Sequence, residues 1–289
     1  MKKIKGYLSL MRIKHYIKNV IIFMPCFFGG KIDDKVLMLR IVIAFCLFSL
    51  LASSIYVMND YFDVEKDKNH PLKCNRPIAS GKVSKKEAFI ILAICMLVPI
   101  TGNFLIFGYK CVAIITFYFF INICYSALGG KNICFVDILL LVLGYILRLF
   151  YGSAISGVVV SPWLYLVVLS GAFFLGYGKR RNELLNVKED CNTRPVLRNY
   201  TSGFLEKNMY SCMTLTIVFY SLWCLDRVDY ANRTCILLSI PILMIALMKY
   251  SLDIEMDMDG DPVSVICKDK AIILCIIIEG ILLAVGLYF

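Results

Sequence analysis

The segment "NDYFDVEKDKNHPLKCNRPIASG", Asn59 to Gly81, follows directly on the apolar run "IVIAFCLFSLLASSIYVM", residues 41–58. A helix needs roughly 20 such residues to cross a bilayer. The chain therefore leaves lipid and at once presents Asp60, Asp63 and Asp67. With Asn59 these stand at offsets of zero, one, four and eight, which at helical pitch fall within an arc of roughly 100°. Tyr56 shares that arc one turn earlier, and Glu65 points away from it. Carboxylates this close repel one another unless a cation is shared among them. All-oxygen ligands suit a hard cation, and Mg2+ takes a few carboxylates together with substrate phosphates. Asn59, Asp60, Asp63 and Asp67 are thus candidate metal ligands, with a solvated helix end as the plain alternative. Lys73 and Arg76 come next, and a guanidinium holds phosphate through paired hydrogen bonds. Arg76 lies within the proline-bounded turn "RPIASG", whereas Lys82, Lys85 and Lys86 read as simple interfacial anchors.

Composition supports the membrane reading. Of 289 residues, 60% are hydrophobic, and the mean hydropathy is +0.75, well above that of a soluble domain. Apolar runs recur throughout, at about 17–30, 36–58, 87–107, 109–126, 133–156, 160–178, 209–225, 234–250 and 271–289. The expectation is an all-α, polytopic membrane protein with nine transmembrane helices, forming a single domain over residues 1–289. The basic start "MKKIKGYLSLMRIKHYIKN" lacks the apolar core of a removable signal.

The net charge of +10 gathers in alternate loops, mainly 59–86, 127–132, 179–208 and 251–270, which the positive-inside rule assigns to the cytoplasm. The remaining loops, including "GGKIDD" and "DRVDYANR", are short and hold few cations, Lys31, Lys35 and Arg227 among them. This asymmetry accounts for the basic charge by topology and anionic lipid, with no nucleic acid partner. The 13 cysteines lie scattered in apolar runs without a C-x-x-C pair, and only His15 and His70 are histidines, which argues against zinc or a disulfide framework.

Charges inside a span are functional candidates. Asp137 and Arg148 share nearly one face of the fifth span, about 16 Å apart along its axis. Asp137 is suited to ribose hydroxyls or to pairing with Lys131, and the deep Arg148 to a ligand or a neighbouring helix. Tyr125 ends the fourth span nearby. Lys18, with Arg12 close by, stands where the first span enters the membrane and could meet a lipid phosphate. Lys179, Arg180, Arg181 and Glu183 follow the sixth span, and "DIEMDMDGD" (Asp253 to Asp261) reads as a solvated acidic loop.

The spacing N-D-x-x-D-x-x-x-D after the second span resembles the signature of the UbiA superfamily of membrane prenyltransferases. The segments "RIKHYIKNVIIFMPCFFGG", "NDYFDVEKDKNHPLKCNRPIASG", "YSALGGKNICFVDILLLVLGYILRLFYG", "SPWLYLVVLSGAFFLGYGKRRNEL" and "GDPVSVICKDK" together resemble its decaprenyl-phosphate phosphoribosyltransferase branch, in order and over nearly the whole chain. The resemblance implies a helical bundle around a central cavity open to the cytoplasm. It implies transfer of 5-phosphoribosyl from phosphoribosyl diphosphate to a polyprenyl phosphate, with Mg2+. Asp60, Asp63 and Asp67 would act with the metal, and the basic residues named above would bind phosphate. Aromatic-acceptor members carry a second aspartate-rich motif after the sixth span. Here "GKRRNELLNVKED" stands instead, and its Glu189 and Asp190 do not reproduce that motif. Transfer of a prenyl group to an aromatic acceptor is the nearest alternative, and a transporter or lipid-binding membrane protein is the alternative from another class. The setting is the inner membrane, in contact with membrane lipid, and a homo-oligomer is left open.

One outcome follows from the charge pattern. Single cysteines placed within residues 59–86 should react from the cytoplasmic side only, and a reporter fused after Phe289 should report the outer side. Labelling of 59–86 from outside would invert the topology.

Overall fold

Asp34 accepts hydrogen bonds from the backbone of Val36 and Leu37, both at 3.0 Å, and so starts helix α3 (Lys35–Phe62). Ser84 and Glu87 form a reciprocal capping box that starts α5 (Lys85–Phe107). Thr201 caps α9 (Ser202–Leu225), and Asp269 caps α12 (Lys270–Tyr288). Each cap satisfies N–H groups that a helix leaves unpaired at its start, typically worth ~1 kcal/mol.

The computed structural model describes residues 2–69, 73–126, 128–185, 195–226, 232–256 and 262–289, and among them every regular element is helical. His70, Glu189, Asp190, Arg227 and residues 257–261 of the acidic loop lie outside the described residues. The remaining helices are α1 (Lys2–Leu10), α2 (Met24–Phe28), α4 (Val64–Lys68), α6 (Tyr109–Ser126), α7 (Val136–Ser156), α8 (Pro162–Leu185), α10 (Arg233–Met256) and α11 (Pro262–Lys268).

Seven described helices, α3, α5, α6, α7, α9, α10 and α12, are long and apolar enough to cross a membrane. The other two expected spans fall on weaker segments. The first coincides with a 3-10 stretch, Ile13–Phe23, continued by the short α2 with Pro25 inside it. The sixth coincides with α8, whose last turns carry Lys179, Arg180, Arg181, Asn182 and Glu183. Length and apolarity therefore support seven spans among the described residues and leave the count of nine unestablished. The long helices also carry exposed apolar side chains, such as Leu97 and Leu105 on α5 and Leu274 and Ile281 on α12. Such surface is stable against lipid rather than water. The protein is an integral, multi-pass membrane protein.

The chain divides into two compact groups. In the first, residues 1–27, 31–128 and 147–158, α3 packs against α1, α5, α6 and the 3-10 stretch. One apolar core of this group joins Leu10, Val57, Val64, Ile78, Val83 and Ala88. In the second, residues 28–30, 129–146 and 159–289, α8 packs on α9, α9 on α10, and α10 on α11 and α12. Lys249 of α10 pairs there with both Asp253 and the cap Asp269.

Gly152 marks the tightest approach in the first group. A Cβ built on it would lie 2.1 Å from the carbonyl oxygen of Ile22. Gly152→Ala should therefore destabilise the protein by about 3 kcal/mol, at the upper end of overpacking costs, because backbone rather than a flexible side chain must yield. Thermal unfolding in detergent checks it, with Gly203→Ala, where nothing lies within 4 Å, as the control.

Candidate active site

The aspartates do not lie on one unbroken helix. α3 ends at Phe62, Asp63 adopts φ −89° and ψ 7°, and α4 restarts at Val64. The break keeps the local spacing, because the Asp63 N–H donates to the Asn59 carbonyl at 3.0 Å and the Asp67 N–H to the Asp63 carbonyl at 2.8 Å. It also lets Asp60 and Asp67, only 2% and 3% exposed, converge on one cation. That cation is Arg76. Its Nη1 lies 3.1 Å from Asp60 Oδ1 and 2.7 Å from Asp67 Oδ2.

Arg12 reaches the same Asp60 oxygen, at 3.0 Å, with its guanidinium 4.7 Å from the Tyr56 ring centre. It does so from a left-handed backbone conformation, φ 51°, between α1 and the 3-10 stretch. Such a conformation costs a non-glycine residue about 1–2 kcal/mol. The pairing with a buried carboxylate offsets that cost, and strain of this kind clusters at functional sites. Asn59 donates to Ser126 Oγ at 3.2 Å, which ties the cluster to the end of α6 beside Tyr125.

A second polar cluster surrounds the start of α7. Asp137 and Arg180 are both fully buried, and Arg180 Nε donates to Asp137 at 2.5 Å. Arg180 Nη1 donates to Glu183 at 2.6 Å. The Tyr200 hydroxyl donates to the other Asp137 oxygen at 2.8 Å and accepts from the Phe135 N–H at 2.7 Å. Burial, with Asp137 adding to it, pushes that hydroxyl above the ordinary tyrosine range. The Asp137–Lys131 pairing read from the sequence is therefore replaced by Asp137–Arg180, because the α8 side chain enters the buried space and Lys131 stays partly exposed on its 3-10 turn. Arg181 lies 3.5 Å from Glu206 and 3.7 Å from Glu255, and Lys179 is half-buried one residue before the Arg180 pair.

Arg148 shares a helix with Asp137 but not its partners. It is 7% exposed, donates through Nε to Asn19 at 2.7 Å and through Nη2 to Tyr118 at 2.8 Å, and lies 5.3 Å from the Phe48 ring centre. Asn19 in turn donates to Ser49 at 2.9 Å. This arrangement fits the helix-partner reading of Arg148. Lys18 is half-buried on the 3-10 stretch, and Lys73 is exposed on the turn Lys73–Asn75 before Arg76. Asn19, Ser126, Tyr118 and Tyr200 escaped sequence reading. Asn19 alone carried a signal, as a lone amide entering an apolar run; the others gain meaning only from their partners.

Among the described residues, no three His, Cys, Asp or Glu side chains are grouped to hold a metal ion. The expected carboxylate–metal cluster is, in this arrangement, a carboxylate–guanidinium cluster. The donor chemistry still fits a hard divalent cation. Two buried carboxylates already converge on one positively charged group, with Asn59 and Asp63 beside them.

An all-helical membrane fold with this acidic and basic cluster at the end of α3 defines a class of membrane-embedded transferase, and comparison with known proteins agrees. The chain belongs to the UbiA prenyltransferase family, whose family model matches residues 22–262. It is 28% identical over 274 residues to a decaprenyl-phosphate phosphoribosyltransferase of Mycobacterium tuberculosis, covering 93% of this chain and 90% of the relative. It is 30% identical to the protein of that name from Mycolicibacterium smegmatis, covering 93% and 88%. Among solved structures, a UbiA homologue from Archaeoglobus fulgidus bound to GPP and Mg2+ superposes with a TM-score of 0.68 at 18% identity, over 97% of this chain and 98% of that one.

The buried pair gives a direct test. Asp137→Asn keeps the shape but removes the charge facing Arg180, and breaking a buried ion pair costs about 3 kcal/mol or more. Denaturation in detergent should show a loss of that order. A change in substrate KM at unaltered stability would instead make Asp137 a ligand-binding group.

Proposed function

We propose that the protein transfers 5-phosphoribosyl from 5-phosphoribosyl 1-diphosphate to a polyprenyl phosphate, releasing diphosphate. The observation that carries this reading is the double ion pair of Arg76 with Asp60 and Asp67, joined by Arg12. Carboxylates and guanidiniums are interleaved where a diphosphate and a divalent cation would each find a partner. The guanidiniums suit the diphosphate through paired hydrogen bonds, and the carboxylates suit the cation. The names of the mycobacterial relatives support the substrate pair.

In this mechanism Asn59, Asp60, Asp63 and Asp67 would hold Mg2+, which when bound would offset negative charge developing on the departing diphosphate. Arg76 and Arg12 turn from the aspartates to the diphosphate oxygens and keep it oriented. The C1–O bond to diphosphate breaks as an oxygen of the polyprenyl phosphate forms the new bond to C1. That oxygen is already anionic, so no general base has to remove a proton. The acceptor and the 5-phosphate need further cations, and Lys18, Lys73, Lys131, Lys179 and Arg181 are assigned to them. Tyr125 and Arg148 are assigned to shaping the binding region. Arg180, enclosed by Asp137 and Glu183, positions the turn that carries Lys179 and Arg181. Asp137 and Glu183 act through Arg180. The active site and N-terminus are cytoplasmic in this reading.

The test is purified protein with Mg2+, labelled phosphoribosyl diphosphate and a polyprenyl phosphate, with label followed into the lipid phase. Asp60→Asn and Asp63→Asn should each lower turnover about a hundredfold or more, roughly 3 kcal/mol of transition-state stabilisation. EDTA should stop the reaction. Lys179→Ala should reduce kcat/KM about tenfold, roughly 1.4 kcal/mol, in line with one charge-assisted phosphate contact. Transfer of a prenyl group from its diphosphate to an aromatic acceptor, with phosphoribosyl diphosphate ignored, would establish the aromatic prenyltransferase reading instead.

A further inference from the structure

α1 is held along the first compact group by contacts on one side only. Gly6 and Leu10 are buried, and a Cβ on Gly6 would lie 3.3 Å from Val83. Tyr7 donates to Glu87 at 2.9 Å, and Lys3 to the same carboxylate at 3.2 Å. Four further described residues of the helix are exposed in two neighbouring stripes. Ile4 and Leu8 form an apolar stripe, 60% and 46% exposed, and Lys5 and Ser9 form a polar one. Residues four apart on a helix lie one above the other.

Between the polar stripe and the turn around Arg76 lies a cavity of about 330 Å³, at the small end of the range for ligand sites. Lys3, Lys5 and Lys82 line it, with Ser9 and Asn75 as further hydrogen-bonding groups, and no acidic side chain is among its described lining residues. Lys5 and Lys82, with Lys3 shared with Glu87 and two neutral polar groups beside them, suit a phosphate. The apolar stripe beside them suits acyl chains, as in helices that lie in a membrane interface.

We propose that this cavity binds the phosphate headgroup of one anionic phospholipid, with its acyl chains lying along Ile4 and Leu8. A free phosphate has the same headgroup chemistry but no use for the apolar stripe. The site is separate from the aspartate cluster, though two of its lining residues, Asn75 and Pro77, are the chain neighbours of Arg76. Lipid occupancy would thus bear on the turn that carries the guanidinium.

Native mass spectrometry of the detergent-purified protein, titrated with phosphatidylglycerol or phosphatidylcholine, tests the site. Wild type should retain one phosphatidylglycerol at least tenfold more strongly than phosphatidylcholine. Lys5→Glu with Lys82→Glu should lose that preference, and Lys5→Gln with Lys82→Gln should weaken it, at an unchanged melting temperature without lipid. Lys86→Glu with Lys207→Glu removes the same charge from other exposed positions and should leave retention intact. Equal loss in that control would reduce the effect to general surface charge and overturn the site. Equal retention in the Lys5 and Lys82 variants would overturn it as well. Excess inorganic phosphate should fail to displace the lipid; displacement would make the cavity a soluble-phosphate site and refute the lipid assignment.

Discussion

Two carboxylates buried at the end of a membrane helix must find a positive partner, and this constraint organises the first half of the protein. Removing an ion from water costs several kcal/mol even after relaxation. Asp60 and Asp67 meet that cost through Arg76, and Asp60 also through Arg12. Arg76 reaches them from the segment that follows the helix break at Asp63, and Arg12 from the left-handed residue that precedes the 3-10 stretch. The shared apolar core of Leu10, Val57, Val64, Ile78, Val83 and Ala88 holds those segments together. Packing and charge therefore depend on each other here: the core positions the turn, and the turn neutralises the acids.

The same logic recurs at α7 and α8 with a different outcome. Asp137 and Arg180 are both fully buried, and Tyr200 satisfies the remaining carboxylate oxygen. A closed set of this kind leaves little freedom for exchange with a ligand and suits a positioning role. At the aspartate cluster the arginine side chains remain 27–29% exposed. A charged ligand can approach them there and trade places with a carboxylate. The contrast in exposure separates a structural ion pair from one suited to chemistry.

Much of this was legible in the sequence. Hydropathy locates the long helices, because the demand to satisfy every backbone group in lipid admits few alternatives to a helix. The spacing of Asn59, Asp60, Asp63 and Asp67 marks the cluster, and the backbone hydrogen bonds from Asp63 to Asn59 and from Asp67 to Asp63 keep that spacing across the break. The family resemblance agreed with the family match over residues 22–262. The weaker spans were less legible. α8 carries five consecutive polar residues, Lys179 to Glu183, just before its final two leucines, and they lower its apolarity.

What the sequence by itself determined is therefore local: helices, the membrane class, and which charges stand close along the chain. Partner choice was decided only in three dimensions. Arg76 is nine residues from Asp67, Arg12 is 48 from Asp60, and Arg180 is 43 from Asp137. No periodicity connects such positions. The pairing of Asp137 with Arg180 rather than the nearby Lys131 shows why. A buried charge takes the partner that packing brings into the same dry space, and which side chain enters that space is a property of the folded protein.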